Sequence, residues 1–261
     1  NTYSEHFLGI RGDNEENLKT EWTMPKFDPQ KDIRMVFNPA DELVGYIAVW
    51  TTSSPPVHPW VWGRVHPDYH GQGIGSALIN WAEKRARRAI GLCPQETRVA
   101  YRTGNVTTIE PPKAIYKSQG LEIIRHFFRM LIEMEVSPPQ PLWPEGITIR
   151  TPEDPKAEIE ALYHVDNEAF RDHFGYVEQP FEEGLAEFSH WFLENPNNND
   201  ASLWFLAMDG DKIAGMALCM RKDHEDEECG HVDCLAVLKP YRKRGIGLAL
   251  LGIGVFTLFC C

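Results

Sequence analysis

The sequence predicts an α+β protein in which two domains, each built as an α/β three-layer unit, follow one another on the same plan. Three observations predict it. The first is the stretch Val65-His66-Pro67-Asp68-Tyr69-His70-Gly71-Gln72-Gly73-Ile74-Gly75-Ser76-Ala77-Leu78, which the apolar run Trp60-Val61-Trp62 enters and a helical pattern leaves. The second is its recurrence at Val237-Leu238-Lys239-Pro240-Tyr241-Arg242-Lys243-Arg244-Gly245-Ile246-Gly247-Leu248-Ala249-Leu250. The third is spacing: Gly45 and Gly215, each in a hairpin pattern, lie 170 residues apart, and the loop glycines Gly73 and Gly245 lie 172 apart. Two registers agreeing within two residues mark a duplication, with a period too long for a solenoid.

The elements follow in order. Residues 1–136 form the expected first domain, 137–146 a linker and 147–261 the second domain. Residues 2–22 are polar with sparse apolar points and predict helix and loop. Ile33–Phe37 and Leu43–Trp50 predict two strands around the turn Asn38-Pro39-Ala40-Asp41. Pro55, Pro56 and Pro59 punctuate the loop before a strand ending at Val65. From Gly75, Leu78, Ile79 and Ala82, with Trp81 and Ala86 alongside, predict an amphipathic helix to about residue 90, closed by Gly91 as its C-cap. Residues 97–102 read as a strand, 113–119 as a helix opened by Pro111-Pro112 and ended by Gly120, and 123–134 as strands closing the domain. Four prolines between Ser137 and Gly146 predict a stiff spacer. The plan then restarts with a strand at Ile147–Arg150, helices at 157–170 and 181–193, a hairpin of 203–208 and 213–218, an acidic loop at 223–228 and a strand from His231 to Val237. The first domain is expected to lack its opening strand, and the second to stop inside its glycine-loop helix.

The net charge of −12 is unevenly held: residues 1–136 carry 16 basic and 16 acidic side chains, and residues 137–261 carry 10 and 22. That disfavours nucleic acid as a partner, since phosphate neutralisation needs a basic face. It leans toward a cationic or amine substrate, although a merely solvated acidic surface is the blander and commoner reading. The six cysteines (93, 219, 229, 234, 260 and 261) show no C-x-x-C spacing. Cys229, His231, Asp233 and Cys234, with Cys219 and His224 nearby, allow a metal cluster on paper. Strand alternation, however, puts Cys229, His231 and Asp233 on one face and Cys234 on the other, so no metal is expected. Free thiols and the lack of an opening secretory signal point to the cytoplasm. Residues 245–261 hold no charge, a length bordering on a membrane span. Four glycines and the position directly after the loop argue for a core helix instead of an anchor.

Each glycine loop is an anion site in the making, because its amides and the positive end of the following helix converge on one point. Neither loop is a Walker loop, which needs Lys-Ser/Thr after the last glycine, and a dinucleotide fingerprint from Gly71 would need glycine at Ser76.

The two stretches resemble the acetyl-coenzyme A motif of the GNAT N-acetyltransferases, Arg/Gln-x-x-Gly-x-Gly/Ala. Arg242-Lys243-Arg244-Gly245-Ile246-Gly247 matches it fully, and His70-Gly71-Gln72-Gly73-Ile74-Gly75 matches except at His70. The resemblance covers nearly the whole chain as a tandem GNAT protein, a group that includes mycothiol synthase. It implies two GNAT domains with mixed, mostly antiparallel sheets, acetyl-coenzyme A as co-substrate and a small-molecule amine as acceptor. It places the coenzyme's pyrophosphate on Gly71, Gln72, Gly73, Ile74, Gly75 and Ser76, or on Lys243, Arg244, Gly245, Ile246, Gly247 and Leu248. His70 or Arg242 opens each loop, and the pantetheine lies along Val65 and His66, or Val237 and Leu238. It also implies an oxyanion donor among the backbone N–H groups near His66 or Leu238.

Acetyl transfer needs a base for the ammonium, a donor for the oxyanion and an acid for the thiolate. The resemblance places the base at His231 or Asp233, although the two also read as an ordinary pair at a sheet edge. Their equivalents in the first domain, counted back from Val65, are Pro59 and Val61, which take no proton. Tyr116 stands in register with the family's acid, and reads equally as a packing residue. The alternative to an enzyme is a non-catalytic acyl-coenzyme A-binding scaffold.

Overall fold

The computed structural model describes the whole chain except Asn1, Ile10, Arg11, Asp13, Asn14, His224, Glu225, Glu227 and Cys261, and the side chain of Cys260. His224, Cys260 and Cys261 of the sequence reading therefore lie outside the described residues or side chains. The chain divides into two units, Asn1–Asp13 with Glu21–Leu131, and Asn14–Thr20 with Ile132–Cys261.

Two short helices, α1 (Thr2–Leu8) and α2 (Glu15–Trp22), precede α3 (Pro29–Asp32), whose first turn is capped by the Asp28 carboxylate accepting from the Gln30 amide at 3.0 Å. In the first unit β1 (Ile33–Phe37), β2 (Leu43–Trp50), β3 (Trp60–Val65) and β4 (Arg102–Thr103) form one sheet in that order. The first three strands are antiparallel; β4 runs parallel to β3. Helix α4 (Ile74–Ala86) buries Leu78, Ile79, Ala82 and Ala86 against Ile47, Val49 and Val61, as its 3–4 spacing dictates. Arg85 of α4 forms an ion pair with the buried Asp32. A smaller cluster of Phe27, Ile33 and Ala48 covers the other face of the sheet. Strands β3 and β4 pair only at Trp60–Arg102 and Val61–Thr103 and then separate, with α5 (Pro111–Ser118) beyond.

The second unit stacks three layers. Its sheet runs β5 (Ile147–Arg150), β6 (Trp204–Asp209), β7 (Lys212–Met220) and β8 (His231–Val237), antiparallel throughout. On one face lie α6 (Pro155–Phe170), capped by Asp154, and α7 (Phe181–Ser189), packing Leu162 and Phe188, with Phe192 of the turn that follows, onto Trp204, Leu206, Met216 and Leu218. On the other, α8 (Ile246–Cys260) sets Ile246 and Leu250 against Phe205, Ala207, Ala214 and Ala217. Strands β1–β3 repeat as β6–β8, down to a shared bulge. Val44 and Ala214 are each one residue too many for the neighbouring strand, and their carbonyls accept from the His66 and Leu238 amides at 2.8 and 3.0 Å.

Several expectations are corrected. Residues 123–134 form no strand, and Ile123, Phe127, Phe128 and Met130 are exposed. Apolar residues make a strand only along a partner edge, and β4 offers two residues. The strand expected at 97–102 reduces to Arg102–Thr103, preceded by a single Ala100 amide to Val57 carbonyl bond. Gly91 does not cap α4: the helix tightens after Ala86 into a 3₁₀ turn, Arg87–Leu92, whose three-residue period keeps Ala86 and Ala89 both buried. After Ser189 the second helix of its pair widens into a π turn, His190–Glu194, rather than staying α-helical to 193. The linker is not a free spacer, because Trp143 packs into the second unit's core and Pro141 lies against Gly252. Finally, α8 is buried on one face only, and no described helix is long and apolar enough to cross a membrane.

Leu250 is fully buried while Leu248, half a turn away, is 76% exposed. Leu250→Ala is therefore expected to cost about 2–5 kcal/mol in denaturant unfolding, and Leu248→Ala about 0.5 kcal/mol or less. Equal costs would contradict this orientation of α8.

Candidate active site

Each glycine loop repeats one backbone shape. Gly71 and Gly73 have φ of +74° and +84°; Lys243 and Gly245 have +63° and +89°. Left-handed residues at every second position turn successive amides inward, and α4 and α8 begin at the next residue, so amides and helix dipole face one point. Lys243 is the exception that shows the constraint: a side chain is held where its twin is glycine.

The residue that opens each loop ties it to the strand. Arg242 donates from Nε to the Val237 carbonyl at 3.1 Å; His70 reaches the Val65 carbonyl through Nε2 at 2.9 Å. The departure at His70 thus keeps the same tether. Arg242 also bonds the Ala169 carbonyl at 2.6 Å and both oxygens of Asp172, clamping the loop to the end of α6 and holding the Asp172 carboxyl below its usual range.

In the first unit the separated strands β3 and β4 open onto a cavity of about 420 Å³. It gathers Val65, His70, Gly71, Gly73, Gly75, Ser76 and Tyr116, together with Tyr3 of α1. The sequence singled out all but Tyr3, which sits in a stretch with no legible pattern. Phe7 of α1 stacks on His70 at 5.5 Å, and Arg64 lies over the Tyr3 ring. The other expected residues turn elsewhere: Ile74 packs into the core, His66 Nδ1 accepts from the Asp68 amide, and Gln72 donates to the Asp68 carbonyl. The Tyr116 hydroxyl accepts from Thr103 and donates to the Gly104 carbonyl, and burial raises its pKa.

In the second unit the loop residues sit alike. Ile246 is buried and Leu248 exposed, so only their amides serve the loop, and Arg244 lies over the Tyr241 ring. In β8, the strand before the loop, the sheet carries its second bulge. Leu218 pairs with Cys234 and Cys219 with Val232, leaving Asp233 without a partner on β7. The bulge overturns the expected alternation. Cys234 faces α6 beside Asp233 rather than away from it, and its thiol donates to Asp166 at 3.4 Å. Among the described residues no three of His, Cys, Asp and Glu group as metal ligands. His231 Nδ1 lies 3.0 Å from the buried Asp223, and its Nε2 3.9 Å from Asp233, which accepts from the Trp191 indole at 3.1 Å. Burial pushes Cys219 up to about 12 and Cys234 well above the usual thiol range.

For the chemistry, one expectation is narrowed and one corrected. The amides of His66 and Leu238 already bond Val44 and Ala214, so they are not free to hold an oxyanion. Ladder alternation points the amides of Val65 and Val237 the other way, on the side of the loop. In the first unit Trp50 pairs with Trp60 where Met220 pairs with His231, so the counterpart of His231 is Trp60, not Pro59, and Asp233 has none. The sequence reading also missed Asp223, Trp191 and Asp166; Asp223 opens the acidic run that reads as a solvated loop.

Profiles described as "Acetyltransferase (GNAT) domain" and "Acetyltransferase (GNAT) family" match residues 33–122 and 159–253, one in each unit. The chain belongs to the GNAT acetyltransferase family. It carries two GNAT domains in tandem, and a mycothiol acetyltransferase of Mycolicibacterium vanbaalenii is 30% identical over 211 residues, 78% of this chain and 60% of that protein. The chain spans about 60% of the length of the curated relatives it matches. A GCN5-related N-acetyltransferase from Sphaerobacter thermophilus is 27% identical with a TM-score of 0.67, covering 94% of this chain and 73% of that one. A tandem GNAT protein from the clavulanic acid biosynthesis pathway shares the fold, with a TM-score of 0.61 at 12% identity over 99% of this chain and 80% of its own.

Asp166 is pushed up by burial first and by the Asp233 charge second. A carboxyl raised in the folded state contributes stability that is full below its unfolded pKa and lost as pH rises through the folded value. Asp166→Asn is therefore expected to raise Tm relative to the wild type at pH 7, by a margin that shrinks toward pH 4. A margin independent of pH would contradict the raised pKa.

Proposed function

We propose that this GNAT chain transfers the acetyl group of acetyl-coenzyme A to the nitrogen of a small-molecule amine, with the chemistry in its second domain. The observation that carries the reading is the bulge at Asp233, which sets a carboxylate and His231 side by side on the strand that leads into the second glycine loop. The gap of 3.9 Å between His231 Nε2 and Asp233 is too long for a hydrogen bond and wide enough for one ammonium to bond both. The ammonium pairs with Asp233 and gives a proton to His231 Nε2. Its freed lone pair attacks the thioester carbonyl carbon. The resulting oxyanion is held by the Val237 amide; the C–S bond then breaks, and the surplus proton on the attacking nitrogen passes to the departing sulfur, so that coenzyme A leaves as its free thiol. The amides of residues 244–248 hold the pyrophosphate. The acidic surplus of the second half suits a cationic acceptor. Among relatives, those named mycothiol acetyltransferase support a small-molecule acceptor.

The first domain is read differently. It keeps the loop, the tether and a cavity, but carries Trp60 where a base would stand. That combination favours binding of the acyl-coenzyme without turnover.

Release of free thiol from acetyl-coenzyme A, measured against a panel of amines, tests the reading. His231→Ala is expected to lower kcat about 10²–10⁴-fold while leaving the KM for acetyl-coenzyme A within about twofold. Unchanged turnover would remove His231 as the base. Tight coenzyme binding with no turnover on any amine would turn the whole chain into a binder.

A further inference from the structure

We propose that Asp223, on the loop between β7 and β8, is a positioning residue that fixes the tautomer of His231; this rests on the reading of His231 as the base. Three features converge. Asp223 is 5% exposed, so its carboxylate is shielded from water, and it lies 3.0 Å from His231 Nδ1. Its own amide donates to the Cys229 carbonyl at 2.6 Å, which closes the loop on itself and fixes where the carboxylate stands. His231 presents its second nitrogen, Nε2, to Asp233 across the 3.9 Å gap.

A neutral imidazole has one N–H and one lone pair, and which nitrogen carries which is set by its partner. Asp223 accepts only, so the nitrogen facing it carries the hydrogen. The Nδ1–H tautomer satisfies Asp223 and leaves the lone pair on Nε2, facing the gap where the acceptor nitrogen is proposed to sit. The opposite tautomer would set a lone pair against a buried carboxylate. When Nε2 takes the ammonium's proton, the imidazolium stands between two carboxylates, Asp223 from the loop and Asp233 from β8. Asp223 keeps its charge throughout; the proton on Nδ1 stays on the histidine. Tautomer control by a buried aspartate is known to matter in hydrolase triads, where loss of the carboxylate costs about 10⁴-fold.

The test reads the ring directly. Two-bond ¹H–¹⁵N correlation spectra of the ¹⁵N-histidine-labelled full chain, assigned with His231→Ala, report tautomer and pKa. The wild type is expected to show the Nδ1–H form. Asp223→Asn is expected to lose that preference, to titrate at lower pH, and to lose about 10²-fold in kcat on the most active amine of the panel with an unchanged KM for acetyl-coenzyme A. Asp223→Glu is expected to restore the Nδ1–H form in part. An unchanged tautomer and pKa in Asp223→Asn overturn the proposal whatever the turnover. If His231→Ala abolishes turnover but Asp223→Asn does not change it, the role of Asp223 falls and the base stands. If neither variant changes turnover, the base assignment falls as well.

Discussion

Between Val232 and Cys234, β8 carries a residue that β7 has no place to pair, and that residue is Asp233. A strand with an extra residue must bend and reverse the facing of everything beyond it. On the loop side of the bulge, Val237 keeps its register with Gly215, so the tether to Arg242 and the inward amide stay as in the first domain. On the far side, His231 and Asp233 turn toward the face of α6 and the π turn, where Trp191 fixes Asp233 and Asp223 fixes His231. The first domain, paired without interruption from Gly45–Val65 to Trp50–Trp60, has nothing equivalent. One inserted residue therefore separates a domain with paired titratable groups from a domain with an aromatic strand.

The loops, by contrast, are conserved between the halves in geometry more than in residue type. What must be kept is a pair of left-handed positions and a donor that reaches the carbonyl at the strand end. Glycine meets the first demand easily, yet Lys243 meets it too, at a conformational cost that its neighbours hold in place. A guanidinium meets the second, and so does the imidazole of His70, at nearly the same distance. The duplicated bulges at Val44 and Ala214 belong to the same constraint, since their carbonyls occupy the amides of His66 and Leu238 and leave those of Val65 and Val237 to face the loop.

The duplication, the two sheets and both glycine loops were legible in the sequence because periodicity and glycine spacing express them locally. What escaped was set by pairing partners. The apolar residues 123–134 read as strands, but no partner edge meets them. Strand alternation placed Cys234 opposite Asp233, and only the ladder with β7 reveals the inserted residue. Asp223 looked like one more charge in an acidic run, because nothing in its neighbours tells which carboxylate of that run folds inward. Tyr3 enters the first domain's cavity from a helix too short to leave a pattern. The choice of His231 and Asp233 came from the family resemblance, counted back from the loop along a strand that the bulge lengthens by one residue.

In the proposed reaction the second domain holds the thioester at the inward amide of Val237, on the strand that carries His231 and Asp233. A crystal structure of the chain with acetyl-coenzyme A measures this directly. Pyrophosphate is expected on the amides of residues 244–248 and the thioester oxygen about 2.7–3.1 Å from the Val237 nitrogen, with its carbonyl carbon open to the side of the strand that carries His231 and Asp233. Coenzyme bound in the first domain alone, or a thioester turned away from Val237, would contradict it.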